Sequence, residues 1–467
     1  MPSDLGLEAP QGHTVGVSSA AHPATARPRR DAELEVGIDA LAHGGAGVGR
    51  AEEGFVVFVR GAVPGDRVRV RVRKAKRSFA EADLLEVLEP SADRIEARAA
   101  HPGAPWQVLP YERQLQEKER QVADALTRLG GFEEPPVEPI VPAVHQWRYR
   151  NKVEYSFGPE LELGFHRAGR WDLIDDVPED VLASERVDEL RRAAASWVRE
   201  EGLSAYDRGD HSGLLRNLVV REGRRTGELQ ARVVTSPGDF RAIELAAALP
   251  ADSVLWTRAA DVAETTRGGK TEVLKGREAL EEELSGLRFS ISPDAFFQTN
   301  TEMAELLYAG AAELAGLTGR ERVVDLFCGI GTIALVLALE AREVWGVEVV
   351  ESAVADAIAN AKRNGIDNAS FFAGDVRTAM RPLLEESGKP DVVVIDPPRA
   401  GLSQKIVRRV LEAEAKRIVY VSCNPTTLAP NARQMVDDGG YRLKTVRPVD
   451  MFPQTPHIEC VALLERD

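Results

Sequence analysis

Cys423 ends the apolar, β-branched run RIVYVS, and Asn424-Pro425 behind it must stop the strand, because proline has no backbone donor. A thiol at a strand-to-loop boundary is held rigidly and can still be reached by a partner, a setting that suits covalent catalysis on a bound substrate. The chain has three cysteines, too few for a disulfide framework. One strand earlier, PDVVVIDPPRAGL places Asp396 at the C-terminal end of an apolar strand, where open α/β sheets bind ligands. Pro397 and Pro398 then fix the exit path. Alone, Asp396 also reads as a cap for the next turn; beside Cys423, its side chain projects into the same crevice. Glu459 opens the last apolar strand of MFPQTPHIECVALLER, a position that by itself fits solvation of an edge, and His457 reads as a surface residue.

About a hundred residues before the thiol, VVDLFCGIGTIAL has the pattern of a strand, a tight loop and an apolar helix. Gly329 and Gly331 permit a tight turn and close approach of a ligand to the helix N-terminus, although glycines also serve plain strand–helix turns. Glu348 ends the next strand, nineteen residues after Gly329, a spacing that suits hydrogen bonding to a ribose diol. Asp325 and Glu348 together favour a nucleoside cofactor. The third glycine of the dinucleotide fingerprint is missing, as is a Lys-Ser/Thr pair for a triphosphate, so S-adenosylmethionine fits better than NAD or ATP. Asp375 in FFAGDV ends the third strand, where it could face an adenine edge or cap the following helix.

These side chains need a scaffold, and 467 residues suffice for roughly three domains. From about residue 293 onward, apolar strands alternate with helical stretches, the pattern of a doubly wound, mostly parallel α/β sheet. Residues 1–31, rich in Ala, Pro, Ser and His, read as a disordered tail. Residues 32–92 read as a small β-barrel of short strands with turn signals, residues 93–290 as a central α+β domain, and residues 291–467 as the domain that carries the site. A helix is expected over YERQLQEKERQVADALTRLG, followed by a Pro-rich linker, PPVEPIVPAV. In RVRVRVRK, alternation points Val68, Val70 and Val72 inward and Arg67, Arg69, Arg71 and Arg73 outward. With Lys74, Lys76 and Arg77 this makes seven cations within eleven residues and no acid among them, the mark of a phosphate-tracking patch. The net charge of −15 advertises no such partner globally. The acidic start carries no signal-peptide h-region, and the longest apolar run, IGTIALVLAL, is shorter than the roughly 20 residues that span a bilayer. A cytoplasmic protein with no membrane partner, and a monomer, is the expectation.

The segments FFQTN, DLFCGIGT, GVE, DPPR, SCNP and HIE, in this order, resemble the S-adenosylmethionine-dependent RNA uracil-C5 methyltransferases, and the barrel resembles their TRAM (OB-like) module. The resemblance implies a Rossmann-like class I methyltransferase domain, Cys423 as nucleophile and Glu459 as general base. It implies cofactor contacts from Gln298, Phe327, Thr332, Glu348, Asp375 and Asp396. Thr332 stands where many members have asparagine. Related ribosomal-RNA enzymes often carry four cysteines for an iron–sulfur cluster after the barrel. Here ARAAHPGAPWQVLPYERQLQEKERQ has none, so no cluster and no metal is expected, and packing through Trp106 and Tyr111 must take its place.

The implied chemistry explains the residue types. Uracil C5 is a poor nucleophile until a thiolate adds at C6, after which a base must remove the C5 proton. A free thiol has a pKa of about 8.5 and needs activation, for which Arg399 is a candidate. The target base must also leave its stack. A cytosine-C5 enzyme would carry a cysteine directly after the Asp-Pro pair, where this chain has Pro398 and Arg399. A non-catalytic RNA-binding or assembly protein would not need the set Cys423, Glu459, Gln298 and Asp396. Between the family's substrates, the TRAM module favours 23S ribosomal RNA over transfer RNA.

Overall fold

The structure, a computed structural model, describes residues 27–51, 54–167, 169–259, 266 and 268–466. The first 26 residues of the expected tail lie outside these. The described chain divides into two units, residues 27–40 with 47–91, and residues 41–46 with 92–466.

The first unit is a closed barrel of β1 (Glu33–Leu41), β2 (Gly47–Arg50), β3 (Val56–Arg60), β4 (Arg67–Ala75) and β5 (Phe79–Glu89), in the order β1-β2-β3-β5-β4. Val68, Val70 and Val72 are fully buried, as the alternation requires. The outward arginines differ from the expectation of a free cationic patch. Register places Glu35 and Glu86 opposite Arg69, and Glu33 opposite Arg71. Arg67 bonds Glu35 (2.8 Å) and Glu89 (2.9 Å), Arg69 bonds Glu86 (2.6 Å), Arg71 bonds Glu33 (2.9 Å) and Arg73 bonds Glu81 (2.7 Å). Each such pair contributes little stability in water, but together they cancel the field of the row.

The second unit begins with α1 (Tyr111–Arg128). A seven-stranded sheet follows, built from β6 (Lys152–Phe157), β7 (Leu163–Arg167), β8 (Arg170–Asp176), β9 (Leu215–Glu222), β10 (Leu229–Thr235), β11 (Ser253–Arg258) and β12 (Lys270–Lys275), ordered β12-β11-β10-β9-β6-β7-β8. The helices α2 (Glu185–Glu200) and α3 (Ala242–Ala248) supply Val187, Leu190 and Leu245 to its core. The hairpin β13 (Leu280–Leu284) and β14 (Leu287–Ile291) leads out of it.

The last part alternates α4 (Thr301–Ala315), β15 (Arg322–Leu326), α5 (Thr332–Ala338), β16 (Glu343–Glu348), α6 (Glu351–Arg363), β17 (Ala369–Ala373), α7 (Val376–Ser387), β18 (Val392–Ile395), α8 (Gln404–Glu412), β19 (Arg417–Ser422), α9 (Pro425–Gly439), β20 (Arg442–Val449) and β21 (Glu459–Glu465). The strand order is β17-β16-β15-β18-β19-β21-β20, parallel from β17 to β19, with β21 antiparallel to both neighbours. The order reverses between β15 and β18, so their C-terminal ends open the crevice that a doubly wound sheet offers to ligands. Ile418, Val419, Tyr420 and Val421 of β19 have no exposed surface, and each apolar side chain so buried stabilises the sheet by roughly 1.5–3 kcal/mol.

Two segments before residue 150 belong to this sheet as well. Val122, Ala125 and Leu126 of α1 sit in the same core as Val324, Leu326 and Leu428. The Pro-rich stretch is no free linker. It runs parallel along β20, with Glu138 N donating to Val446 O (2.9 Å) and Val141 N to Pro448 O (2.9 Å). Prolines suit such an edge because they have no donor to leave unpaired.

Trp106 and Tyr111 are both tied to the segment that leads to Glu459. Lys118 of α1 is fully buried and donates to Asp450 Oδ1 (2.5 Å) and Phe452 O (3.0 Å), with Tyr111 OH donating to Asp450 Oδ2 (2.8 Å). Trp106 N donates to Gln454 O (3.0 Å), and Gln114 bonds Gln454 from both ends of its amide (2.8 and 2.9 Å). Buried ions repay their desolvation only when hydrogen-bonded in this way. Among the described residues no helix is long and apolar enough to cross a membrane.

Candidate active site

The pairing of β19 with β21 sets the geometry of the site. Ser422 is opposite Cys460, so one step beyond the paired residues Cys423 is brought towards Glu459, whose charge acts on the thiol. Ile395 of β18 is beside Tyr420 of β19, which brings Asp396 to the same edge. The loop after Asp396 is tied to α9. Asn424 Nδ2 donates to Arg399 O (3.1 Å), and Asn431 bonds Leu402 N (2.9 Å) and Leu402 O (3.0 Å). Asn424 also caps α9 through Thr426 N (3.0 Å), with Pro425 in the first turn, so the thiol stands just outside a helix N-terminus.

Acids crowd this edge, and burial dominates their titration. Asp396 keeps some accessible surface, and burial lifts its carboxyl to about 7. Burial and then the charge of Asp396 hold Glu459 well above the usual carboxylate range, with Arg399 opposing. Burial, then Glu459 and Asp396, push the Cys423 thiol up to about 11, again against Arg399. His457, half-buried, is driven down to about 4 by burial and then by Arg399. Arg399 is thus the positive group common to the thiol, the glutamate and the imidazole.

The loop between β15 and α5 borders the crevice. Phe327 is a non-glycine residue at φ +66°, a strained conformation held by Phe327 N donating to Val347 O (2.9 Å). Gly331 (φ +84°) is packed against Phe371 and Ala357, whereas a Cβ on Gly329 (φ +55°) would meet nothing within 4 Å. The loop therefore leaves a cradle open over Gly329. Glu348 braces the loop, Oε2 accepting from Gly329 N (3.2 Å) and Oε1 from Val350 N (2.9 Å). Thr332, the first residue of α5, has its hydroxyl 3.3 Å from that of Tyr308. Gln298 is buried, and its carbonyl accepts from Asn151 Nδ2 (2.9 Å).

Two acids gain a definite setting in the structure. Asp375 is the N-cap of α7, bonded to Arg377 N (2.8 Å) and paired with the Arg377 guanidinium, so it does the work of a cap. Asp325, in the sequence merely a companion of Glu348, is fully buried with no side-chain partner for its carboxyl, and burial, then Asp396, raise it far above its ordinary range against the backbone N–H of Ala334. The sequence names it with Glu348 and within DLFCGIGT, but its burial is visible only in three dimensions. A fully buried carboxyl without a side-chain partner, the partly accessible Asp396 whose charge it feels and open space over Gly329 fit a ligand with a positive centre and hydroxyl groups. Among the described residues no group of His, Cys, Asp and Glu is placed to hold a metal ion.

Comparison with known proteins finds matches for both parts of the chain. Residues 246–467 match the family model described as tRNA (Uracil-5-)-methyltransferase, and residues 30–85 match the TRAM domain. An uncharacterized RNA methyltransferase of Halalkalibacterium halodurans is 38% identical, over 92% of this chain and 96% of its own length. One of Gloeobacter violaceus is 40% identical, over 93% and 96%. The crystal structure of Pyrococcus abyssi tRNA (uracil-54, C5)-methyltransferase in complex with S-adenosyl-L-homocysteine superposes with a TM-score of 0.77 at 30% identity, covering 92% of this chain and all of that one.

Proposed function

We propose that this chain, which belongs to the S-adenosylmethionine-dependent RNA uracil-C5 methyltransferases, makes 5-methyluridine in 23S ribosomal RNA through a covalent bond from Cys423 to uracil C6. The observation that carries this reading is the strand register that opposes Cys423 to Glu459 in one crevice with Asp396. The cofactor supplies an electrophilic methyl group for C5.

Asp325 and Asp396 would hold its positive centres and Glu348 its ribose hydroxyls; Gln298, Phe327 and Thr332 would line its path, and Asp375 would meet its adenine edge. Cys423 ionises against the acids around it with the help of Arg399 and of the N-terminus of α9, which favours an anion. Its thiolate adds to C6 of an unstacked uracil, and the C5–C6 electron pair moves into an enolate with C5 nucleophilic. After C5 is methylated, the Glu459 carboxylate takes the C5 proton. The pair left behind re-forms the C5–C6 double bond and expels the thiolate. A carboxyl whose pKa burial has raised is the stronger base for that step.

The TRAM module supports ribosomal RNA. Transfer RNA is the second reading, favoured by the substrate of the Pyrococcus neighbour. Full-length protein with labelled cofactor and separate 23S ribosomal RNA and transfer RNA transcripts tests both. Methyl label in 5-methyluridine after nuclease digestion, from the ribosomal transcript and not the other, is the expected result. Label only in transfer RNA reverses the substrate assignment, and label in cytidine or ribose overturns the reaction.

A further inference from the structure

The arginine row of the barrel is paired with acids, which leaves Lys74, Lys76 and Arg77 of the expected patch, and the RNA backbone can meet further positive charge elsewhere. We propose that the groove between α7 and α8 is that place, a docking surface for the phosphates of the substrate RNA flanking the target nucleotide. This inference rests on the RNA methyltransferase reading and adds a surface to it.

Arg377 and Arg381 lie four residues apart on α7. Lys405, Arg408 and Arg409 lie three and four apart on α8, so each helix turns one cationic face to the groove they line. Arg377 is paired with Asp375, while Arg381 and Arg409 share Glu412. Glu385 is felt by Arg381 only at longer range. Five cations thus face Asp375, Glu412 and the more distant Glu385, on a chain whose net charge is −15. Lys405 and Arg408 are exposed and make no ion pair among the described residues.

Position assigns the partner. The helix α7 starts at Asp375, just past the C-terminal end of β17, and α8 starts after the Asp396–Ser403 loop that leaves β18. Arg377 and Lys405 are therefore in first turns at the edge that holds Cys423 and Asp396, with Arg381, Arg408 and Arg409 about one turn further on. A polyanion whose one base enters the crevice must continue across that edge, and a groove of cations beginning there follows its backbone. Acidic protein segments share the charge but have no reason to begin at the crevice.

The test is Lys405→Ala/Arg408→Ala in the full chain, with 23S ribosomal RNA and transfer RNA transcripts as probes over a series of salt concentrations. The expected result is weaker binding of the RNA that accepts methyl groups, by about tenfold at low salt. The slope of log K against log salt should be shallower by roughly 1.4–1.8, since each of the two lost phosphate contacts removes about 0.7–0.9. The charge-preserving Lys405→Arg/Arg408→Lys should bind as the wild type does. An unchanged slope in a double-alanine variant that melts and binds cofactor like the wild type overturns the docking surface and leaves the methyltransferase reading standing. Failure of the wild type to methylate any RNA overturns that reading, whatever the groove does.

Discussion

Cys423→Ala abolishes methyl transfer, by roughly 10⁴-fold or more, while cofactor and RNA affinities stay within about twofold of wild type. The size of the effect follows from the chemistry. Without a bond to C6, uracil C5 has no electron pair to offer, and the other two thiols cannot substitute. Cys328 and Cys460 are buried, and burial pushes both thiols far from ionising. Alanine removes one sulfur from a rigid strand end, so the cofactor crevice and the groove of α7 and α8 keep their shape. Initial rates with saturating RNA, beside equilibrium binding of each ligand, check the split. Retention of more than about one per cent of the activity would mean that methylation proceeds without this thiol.

Asp325→Asn weakens the cofactor roughly 10- to 100-fold and raises the melting temperature of the cofactor-free protein at pH 7–8. The affinity loss is that of one or two hydrogen bonds to a charged group. The gain in stability has a definite pH dependence. A carboxyl whose folded pKa is raised holds its proton more tightly in the folded chain than in the unfolded one. It therefore costs stability progressively as pH rises above the unfolded value, near 4, and costs nothing below it. The melting difference between variant and wild type should accordingly vanish by about pH 4. Melting curves across that range, with and without cofactor, separate this from a packing change, which would shift both ends alike. A residue that destabilises the empty protein and tightens its ligand has been kept for the ligand.

Much of the site is legible in the sequence because it depends on local signals. The apolar β-branched runs mark β15, β18 and β19. Pro397-Pro398 and Asn424-Pro425 mark where β18 and β19 end, and that fixes Asp396 and Cys423 at one edge of a parallel sheet. The partnership of Cys423 with Glu459 is not local: it needs the antiparallel register of β21 against β19, and a glutamate opening a strand carries no such information. Charge is the least legible property. The alternation in RVRVRVRK shows which way the arginines point but not that Glu33, Glu35, Glu81, Glu86 and Glu89 stand beside them. Conversely, the cations of α7 and α8 are scattered between Arg377 and Arg409 and gather only when the helices pack. The stretch around Val137 and Val141 is read as a linker because its prolines break any strand pattern, yet an edge strand with one bonded side tolerates them.

The covalent bond between enzyme and RNA is the claim on which everything else depends, and Glu459→Gln isolates it. The amide cannot take the C5 proton, so the sequence of events stops after methylation with the sulfur still on C6. Incubated with cofactor and its RNA, this variant should form a species that survives denaturation. After nuclease and protease digestion, the peptide carrying Cys423 should be heavier by one methylated uridine nucleotide. A modified peptide that lacks Cys423, or no adduct from a variant that still binds both ligands and has lost turnover, contradicts the account.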